Sequence, residues 1–260
     1  MSGLVCHRDK VIQPQDRFPF KLKPSLVCVD SDGETIRKFQ MEEFTNSYIV
    51  LFFLPMDFKV DASEVLAFSS KLDRFQANKT KVVGVTQDNP FTIRHWIQKE
   101  RTKGGFGQAV GFPIISDRDQ SLAEALGVAS PSGMPCRATF IIDWSGYIRY
   151  CMVHRSDLGR SVEEILRLSI AYRHSDLTGE LTTAKWKTGG DEVIPTDYTF
   201  KTKYYKDKYG KSETTSTPLK ESSSTDSDTK SSKENPKTSL SVSGEYVYMK
   251  HILLIGIKMI

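Results

Sequence analysis

Cysteine is scarce in this 260-residue chain, and the four cysteines are far apart. Cys6, Cys28, Cys136 and Cys151 form no Cys-x-x-Cys pair, and the five histidines are scattered among them without metal-ligand spacing. This pattern excludes the common zinc and dithiol motifs, so we expect no metal and no cofactor. Unpaired cysteines are typical of proteins from a reducing compartment, and we therefore expect a cytoplasmic protein.

Long apolar runs are also lacking. Residues 1–8 contain no apolar segment of the kind found in secretory signal peptides, so we expect no such signal there. The apolar end at residues 246–260 is interrupted by Lys250, His251 and Lys258. It is too short to span a bilayer comfortably, so we expect no membrane association of that kind. An interfacial segment, a partner-binding segment and an accidental extension all remain open for it.

A strong excess of either charge is missing as well, since the formal net charge is only +4. The single segment that combines Lys with aromatic residues is 201–211, which contains three tyrosines. Such a segment is more often a docked or solvated helix end than a nucleic-acid site. We therefore expect no nucleic-acid partner.

Apolar residues almost disappear at residues 211–243, where Ser, Thr, Lys, Asp and Glu dominate. Such a segment cannot bury enough surface to offset the entropy of ordering it. The predicted organisation is a core at 11–175, a C-terminal arm at 176–210 and a disordered tail at 211–260 with an apolar end. Phosphorylation of the tail within 222–232 would suit a signalling scaffold.

Strands and helices alternate along the predicted core. Apolar runs at 48–54 and 81–86 are typical of buried strands, and 25–29 leads into a turn at 30–33. Helices are predicted at 63–77, 90–100, 121–126 and 161–174, a short strand at 114–115, and a hairpin at 138–153 around Ser145-Gly146. This order predicts a layered α/β sheet with helices on both faces, similar to the thioredoxin fold.

The segment at 51–68, Leu-Phe-Phe-Leu-Pro-Met-Asp-Phe-Lys-Val-Asp-Ala-Ser-Glu-Val-Leu-Ala-Phe, carries the most specific signal. It resembles the active-site segment of the typical two-cysteine peroxiredoxins (AhpC/TSA family), in which a Pro-x-x-x-Thr-x-x-Cys loop follows a strand. The frame residues Pro55 and Glu64 are present, but the loop is one residue shorter. Counting back from Glu64 places Asp61 on the peroxidatic cysteine, whereas counting forward from Pro55 places Ala62 there.

Further motifs extend the resemblance over about residues 11–209. Gly104-Gly-Phe-Gly107 is similar to the family's glycine loop, and Trp96 to its tryptophan in the second helix. Arg137 and Arg160 fall on the two arginines beside the peroxidatic thiolate. Thr182 falls on the resolving cysteine, within Gly-Glu-Leu-Thr-Thr-Ala-Lys-Trp. Tyr204-Tyr205 resembles the C-terminal aromatic pair that packs against the glycine loop.

The resemblance implies a thioredoxin-like fold and descent from antioxidant, thioredoxin-dependent peroxidases that act on hydrogen peroxide and alkyl hydroperoxides in cell redox homeostasis. Peroxide reduction requires a thiolate, which neither Asp61 nor Ala62 supplies. We therefore expect a pseudoenzyme with an oligomeric interaction or chaperone-like role. The family implies a homodimer or a decamer of dimers, with dimer surfaces at the strand 147–153 and at the arm, and co-assembly with active peroxiredoxins is open. Thioredoxin would be a partner only if the protein were active.

Alternative interpretations remain open for three residues. Asp61 is either an ionised mimic of the thiolate beside Arg137 and Arg160 or a solvent-facing helix cap. Cys136 is either a fallback thiol, activated by the neighbouring arginine, or a small buried residue at the start of a strand. Adjacent strand residues point to opposite faces, which favours the second interpretation. Cys151 is the other candidate for a residual thiol peroxidase.

Overall fold

The computed structural model describes residues 12–19, 26–44, 46–55, 61–130, 134–155, 157–187, 193–194 and 197–210. These residues belong to one compact unit, Met1–Ser212. Cys6 and the predicted tail at 211–260 lie outside the described residues. No helix within the described part combines the length and the apolarity needed to cross a bilayer.

A seven-stranded mixed sheet runs through the molecule. Its strands follow the spatial order β2-β1-β5-β4-β3-β6-β7. Only the pairs β3–β4 and β4–β5 are parallel, and the others in this sheet are antiparallel. The strands are β1 (Val27–Val29), β2 (Ile36–Lys38), β3 (Tyr48–Phe53), β4 (Thr80–Thr86), β5 (Ile114–Ser116), β6 (Arg137–Ile142) and β7 (Ile148–His154). A separate two-stranded ribbon pairs β8 (Leu181–Thr182) with β9 (Val193–Ile194).

Six helices accompany the strands in the described part of the chain. They are α1 (Asp61–Ser70), α2 (Leu72–Ala77), α3 (Pro90–Gln98), α4 (Ser121–Ala125), α5 (Val162–Thr178) and α6 (Tyr198–Tyr209), with 3-10 turns at Met41–Phe44 and Arg101–Lys103. Ser161 begins α5 as a cap, since its hydroxyl accepts a hydrogen bond from the Glu164 amide at 3.3 Å. The helix therefore starts as predicted but continues beyond 174 to Thr178.

The two faces of the sheet bury separate apolar clusters. Along β3, Ile49, Leu51 and Phe53 belong to the first cluster. The alternate residues, such as Val50 and Phe52, belong to the second. Helix α4 contributes to the first cluster, whereas α1, α2, α3 and α5 contribute to the second. The predicted α/β sheet with helices on both faces is thus observed, and the period of two along β3 follows from the pleat of the strand.

The prediction of one helix over 63–77 is wrong. Lys71 leaves the helical conformation, with φ −109° and ψ 5°, and separates α1 from α2. The Lys71 amide donates to the Phe68 carbonyl at 3.1 Å, and the Ser70 hydroxyl donates to the Ala67 carbonyl at 2.8 Å. A serine hydroxyl that competes for a helix carbonyl in this way weakens the regular ladder. The break allows Phe75 to reach the core, while Leu66 and Leu72 are only partly buried.

Candidate active site: two carboxylates and two arginines

Four charged side chains meet where β3, α1, β6 and α5 approach one another. Asp61 and Glu64 lie in the first turn of α1. Arg137 begins β6, and Arg160 immediately precedes the cap of α5. All four are buried, and we call them the charge cluster. The helix start suits the two carboxylates because a helix N-terminus carries a partial positive charge.

Glu64 is the hub of the charge cluster. Its Oε2 atom accepts a hydrogen bond from Nη1 of Arg137. Its Oε1 atom accepts from the Arg160 amide at 2.7 Å and from Arg160 Nε at 3.1 Å. One carboxylate therefore joins α1 to β6 and to the start of α5, and its removal would leave two buried cations short of a counter-charge.

Asp61 is the second carboxylate that contacts Arg137. Its Oδ1 atom lies 2.9 Å from Arg137 Nη2, and only 4% of the Asp61 surface is exposed. Asp61 is therefore not a solvent-facing helix cap. Ala62, the other candidate from sequence counting, is half-buried and packs against the second apolar cluster. The next residue of an α-helix points about 100° away.

Arg160 has a structural role in addition to its charge. Its Nη1 atom donates to the Ala138 carbonyl and to Thr139 Oγ1, both at 3.0 Å, and Nη2 donates to the Phe53 carbonyl at 2.6 Å. The guanidinium thus ties the end of β3 to β6. Burial lowers the pKa of Arg160, and the neighbouring Glu64 carboxylate opposes that shift. Pro55, the other frame residue from the sequence, is buried just after β3.

The formal charges of the four residues balance, with two carboxylates against two guanidinium groups. Balanced, hydrogen-bonded charges are the arrangement in which buried ions are tolerated. Chemically, a pair of buried arginines can hold an anion or stabilise a developing negative charge. In this chain the Asp61 carboxylate is itself the anion beside Arg137.

His154 is a neighbour of the charge cluster that the sequence analysis missed. It lies opposite Arg137 in the β6–β7 register, and both of its ring nitrogens are buried. Burial and the positive charges of Arg160 and Arg137 lower its pKa, with Glu64 acting in the other direction. The neutral imidazole is therefore favoured. Only the strand register places it there, and no sequence motif indicated it.

The described cysteines lie on the sheet face opposite the charge cluster. Cys28 and Cys136 belong to the first apolar cluster, and Cys151 packs against it. Arg137 faces the other way, because Ala138, Phe140 and Ile142 of β6 point into that cluster. The sequence-based argument that Cys136 and Arg137 point to opposite faces agrees with this arrangement. Burial also raises the pKa of Cys28 to about 11, which disfavours its thiolate.

Cys136 is disulfide-bonded in this structure. Cys28 and Cys151 are reduced. A sulfur in a disulfide is not a thiolate, and the fallback thiol proposed for Cys136 is therefore not available in this structure. The cytoplasmic location remains a prediction that rested partly on unpaired cysteines.

The arm carries the candidate resolving position. Thr182 is half-buried in β8, opposite Val193 of β9. Trp186, which ends the same motif, is buried and packs near the His174 ring, with centroids 5.5 Å apart. On α6, Tyr204 is half-buried and Tyr205 is exposed, and the packing of this pair against the glycine loop stays a prediction.

The glycine loop and Trp96 lie close together in sequence and structure. The Phe106 amide bonds to the Trp96 carbonyl at 2.9 Å, and Phe106 is buried. A Cβ at Gly105 would come within 2.1 Å of the Lys99 carbonyl oxygen, so glycine is required there. The loop is thus held by packing. No group of three His, Cys, Asp or Glu side chains able to hold a metal is found among the described residues.

Comparisons with known proteins agree with this architecture. The model of the AhpC/TSA family matches residues 15–151. Peroxiredoxin-4 of Homo sapiens is 36% identical over 176 residues, 67% of this chain and 64% of that protein. Peroxiredoxin-2 of Cricetulus griseus is 37% identical over 63% of this chain and 83% of its own length. The reduced 2-Cys peroxiredoxin of Plasmodium vivax superposes with a TM-score of 0.62 at 27% identity, over 70% of this chain and 95% of that one.

The match spans less than two thirds of the human and bovine Peroxiredoxin-4 sequences, at 64% and 63% of their lengths. The likeness to the solved structure and the observed sheet together confirm the predicted thioredoxin-like α/β fold of the peroxiredoxin type.

Proposed function

Because the chain belongs to the AhpC/TSA family of peroxiredoxins, we propose that it is a member without peroxidase turnover, in which Asp61 stands at the peroxidatic position and Thr182 at the resolving position. The observation that carries the proposal is the contact between Asp61 and Arg137. A carboxylate fills the place beside the arginine where peroxide chemistry requires a thiolate. A carboxylate cannot cycle through a sulfenic acid.

The positions of the described cysteines support the same proposal. Cys28, Cys136 and Cys151 lie on or against the first apolar cluster, on the sheet face opposite Arg137. A thiolate on that face would not have the arginine donors that stabilise an attacking sulfur and a leaving oxygen. The arginines of the charge cluster therefore serve to hold α1 in place.

The biological role that we propose is assembly or interaction. Asp61 keeps the first turn of α1 attached to β6 through its ion pair with Arg137. Strand β7 is the last strand of the sheet. Its start at Ile148 is paired with Gln15 and Asp16, and the rest of this edge strand can present backbone groups to a second chain. A homodimer through β7, a ring of such dimers or co-assembly with an active peroxiredoxin would each use this edge. A chaperone-like contact with client proteins belongs to the same proposal.

Peroxide consumption and thiol oxidation test the proposal directly. We expect purified protein with reductant to consume no hydrogen peroxide beyond the buffer control. We expect Asp61→Cys to place a thiol beside Arg137, so that dimedone labels that position stoichiometrically after peroxide treatment. Ala62→Cys is the matched control, because Ala62 packs against the second apolar cluster, and we expect it to remain unlabelled.

Turnover by the unmodified protein would overturn the proposal. Labelling of Ala62→Cys in place of Asp61→Cys would overturn the assignment of Asp61 to the peroxidatic position.

A residual thiol peroxidase is the second candidate function, and Cys151 is the residue that favours it. Cys151 is reduced and half-buried on β7, so it is more accessible than Cys28. Such an enzyme would need an external reductant of the thioredoxin type. Loss of measured turnover in Cys151→Ser, with turnover retained in Cys28→Ser, would establish this alternative.

A further inference from the structure

A cavity of about 370 Å³ opens at the end of the sheet remote from the charge cluster. Its apolar wall contains Phe44, Val82 and Phe112, and its rim contains Gln76 and Lys79. The cavity lies beside the residues that begin β3 and β4, whereas Asp61 follows the end of β3. It is therefore separate from the position where open α/β sheets usually bind ligands, outside the carboxyl ends of the strands. Its volume lies within the range of small-molecule sites.

A second, smaller cavity of about 200 Å³ shares one residue with the first. Lys79 lines both cavities, and the smaller one is also lined by Tyr48, Trp144 and Arg173. The Trp144 ring stands edge-on to Tyr48, with centroids 5.3 Å apart. The two cavities together thus offer an apolar chamber next to an aromatic recess that contains two cations.

The two cations lack counter-charges in the described part of the structure. The ammonium of Lys79 and the guanidinium of Arg173 form no ion pair there, unlike Lys71 and Arg167, whose partners are Glu163 and Glu164. The Lys79 backbone is fixed, because its carbonyl accepts from the Tyr48 amide at 3.0 Å and its amide donates to the Gln76 carbonyl at 2.8 Å. The side chain therefore starts from a defined point between the two cavities.

Two acids close to Tyr48, Asp176 and Asp143, are already paired. Asp176 accepts from the Tyr48 hydroxyl and lies 3.4 Å from Arg149 Nη2. Asp143 lies 2.7 Å from Nε of the same arginine. Lys81, on the rim of the larger cavity, donates to the Glu43 carbonyl at 2.6 Å and lies over the Phe44 ring. Among the described residues, Lys79, Lys81 and Arg173 line the two cavities and no acid does, so the charge of the lining is positive.

We propose that this double cavity binds a small amphiphilic anion, a medium-chain or aromatic carboxylate, with its acid group at Lys79 and Arg173 and its apolar body against Phe44 and Phe112. Burial of the chain against the apolar wall supplies the affinity. The two cations supply the preference for an anion over a neutral or cationic molecule of the same length. The site is independent of whether the charge cluster supports peroxide chemistry.

Titration calorimetry with decanoate tests the proposal on the full chain. We expect saturable binding with one molecule per chain, and binding about tenfold weaker in Lys79→Glu, because the variant replaces attraction by repulsion. Gln76→Trp should also weaken binding by filling the mouth from an exposed position on α2. Lys185→Glu makes the same charge change at an exposed lysine outside both cavities and should bind as the unmodified protein does.

Decanol, decylamine and vesicles of phosphatidylglycerol complete the test. We expect no saturable binding of decanol or decylamine and no co-sedimentation with vesicles, since the chamber admits a single free chain. Equal binding of decanoate and decylamine, an unchanged affinity in Lys79→Glu, vesicle binding without decanoate binding, or no decanoate binding by folded protein would each overturn the proposal. Thermal melts of every variant show whether a loss of binding reflects the site or the fold.

Discussion

Asp61 and Arg137 form a buried ion pair, with Oδ1 of the aspartate 2.9 Å from Nη2 of the arginine. The arginine side chain is fully buried, and the aspartate is nearly so. An ion in such a position depends on its partner, because the rest of its surroundings cannot solvate it. The pair therefore links the start of α1 to β6 by an interaction that a small substitution can remove.

Asp61→Ala should lower the free energy of unfolding by about 3 to 5 kcal/mol, because it leaves Arg137 buried with an incomplete counter-charge. Urea unfolding measures this, and size-exclusion chromatography shows whether the assembly changes with it. Asp73→Ala, an exposed aspartate on α2, is the control and should change the stability by less than about 0.5 kcal/mol. Equal stability of Asp61→Ala and the unmodified protein would contradict the role assigned to the pair.

Glu64→Gln should lower the free energy of unfolding. Its effect and that of Asp61→Asn should not be additive in the double variant. Both carboxylates contact Arg137, so the first substitution already changes the environment in which the second acts. A double-mutant cycle should give a coupling energy of about 0.5 to 3 kcal/mol. The control cycle combines Glu64→Gln with Asp73→Asn, two residues that share no partner. Their changes in the free energy of unfolding should be additive. Additivity in both cycles would mean that the carboxylates act separately.

His154 should make stability fall as the pH decreases below about 6.5, the ordinary histidine pKa. Burial and the two arginines depress the pKa of His154 in the folded protein, so the unfolded chain binds a proton there that the folded chain does not. Stability is therefore lost between the ordinary pKa and the lower folded-state value. His154→Gln should flatten this part of the unfolding profile, measured from about pH 7.5 to 5.

The exposed His95 on α3 provides the control for that profile. His95→Gln should leave the pH dependence of unfolding as it is in the unmodified protein. A profile that His154→Gln does not flatten would show that the imidazole titrates alike in the folded and unfolded chains.

Thiol labelling should separate the two reduced cysteines. At neutral pH only about one part in ten thousand of a thiol with a pKa near 11 is thiolate, and Cys28 is in addition fully buried. Iodoacetamide should therefore label Cys151 first, and Cys28 only after unfolding in urea, as read by mass spectrometry of the peptides. Labelling of Cys28 at the rate of Cys151 in native buffer would contradict the buried position of Cys28.

Met152→Glu should dissociate a dimer that forms through β7. Met152 lies in the middle of this edge strand, paired with Thr139 on the inner side. When the β7 edges of two chains meet, a carboxylate at position 152 would lose its water. Because the interface is symmetric, the same charge would be buried on both chains. Light scattering after size-exclusion chromatography measures the mass. Met134→Glu, a similar change at an exposed position before β6, should leave the mass unchanged.

Several features of the site were predictable from residue types in a known frame. Pro55, Glu64, Arg137 and Arg160 were identified from their motifs, and three of them meet in the charge cluster. Counting along the chain could not decide between Asp61 and Ala62, because a one-residue deletion in a loop leaves two equivalent alignments. In the structure Asp61 is the residue that contacts Arg137, while Ala62 points about 100° away and packs against the second apolar cluster.

Other features depended on contacts between distant segments. The break at Lys71 interrupts a sequence with good helical periodicity, because a serine hydroxyl and the burial of Phe75 outweigh a weak local preference. His154 reaches the charge cluster only through the register of β7 against β6.

The sequence by itself determined the α/β class, the absence of a cysteine between Pro55 and Glu64, and the set of charged residues available to the core. These properties depend on periodicity and residue identity, which are local. Only the tertiary structure decided that Asp61 contacts Arg137, on which sheet face each described cysteine lies, and that Lys79 lines two cavities. Strand register, helix phase and the packing of distant segments set those relationships, and none of them is encoded in a short stretch of chain.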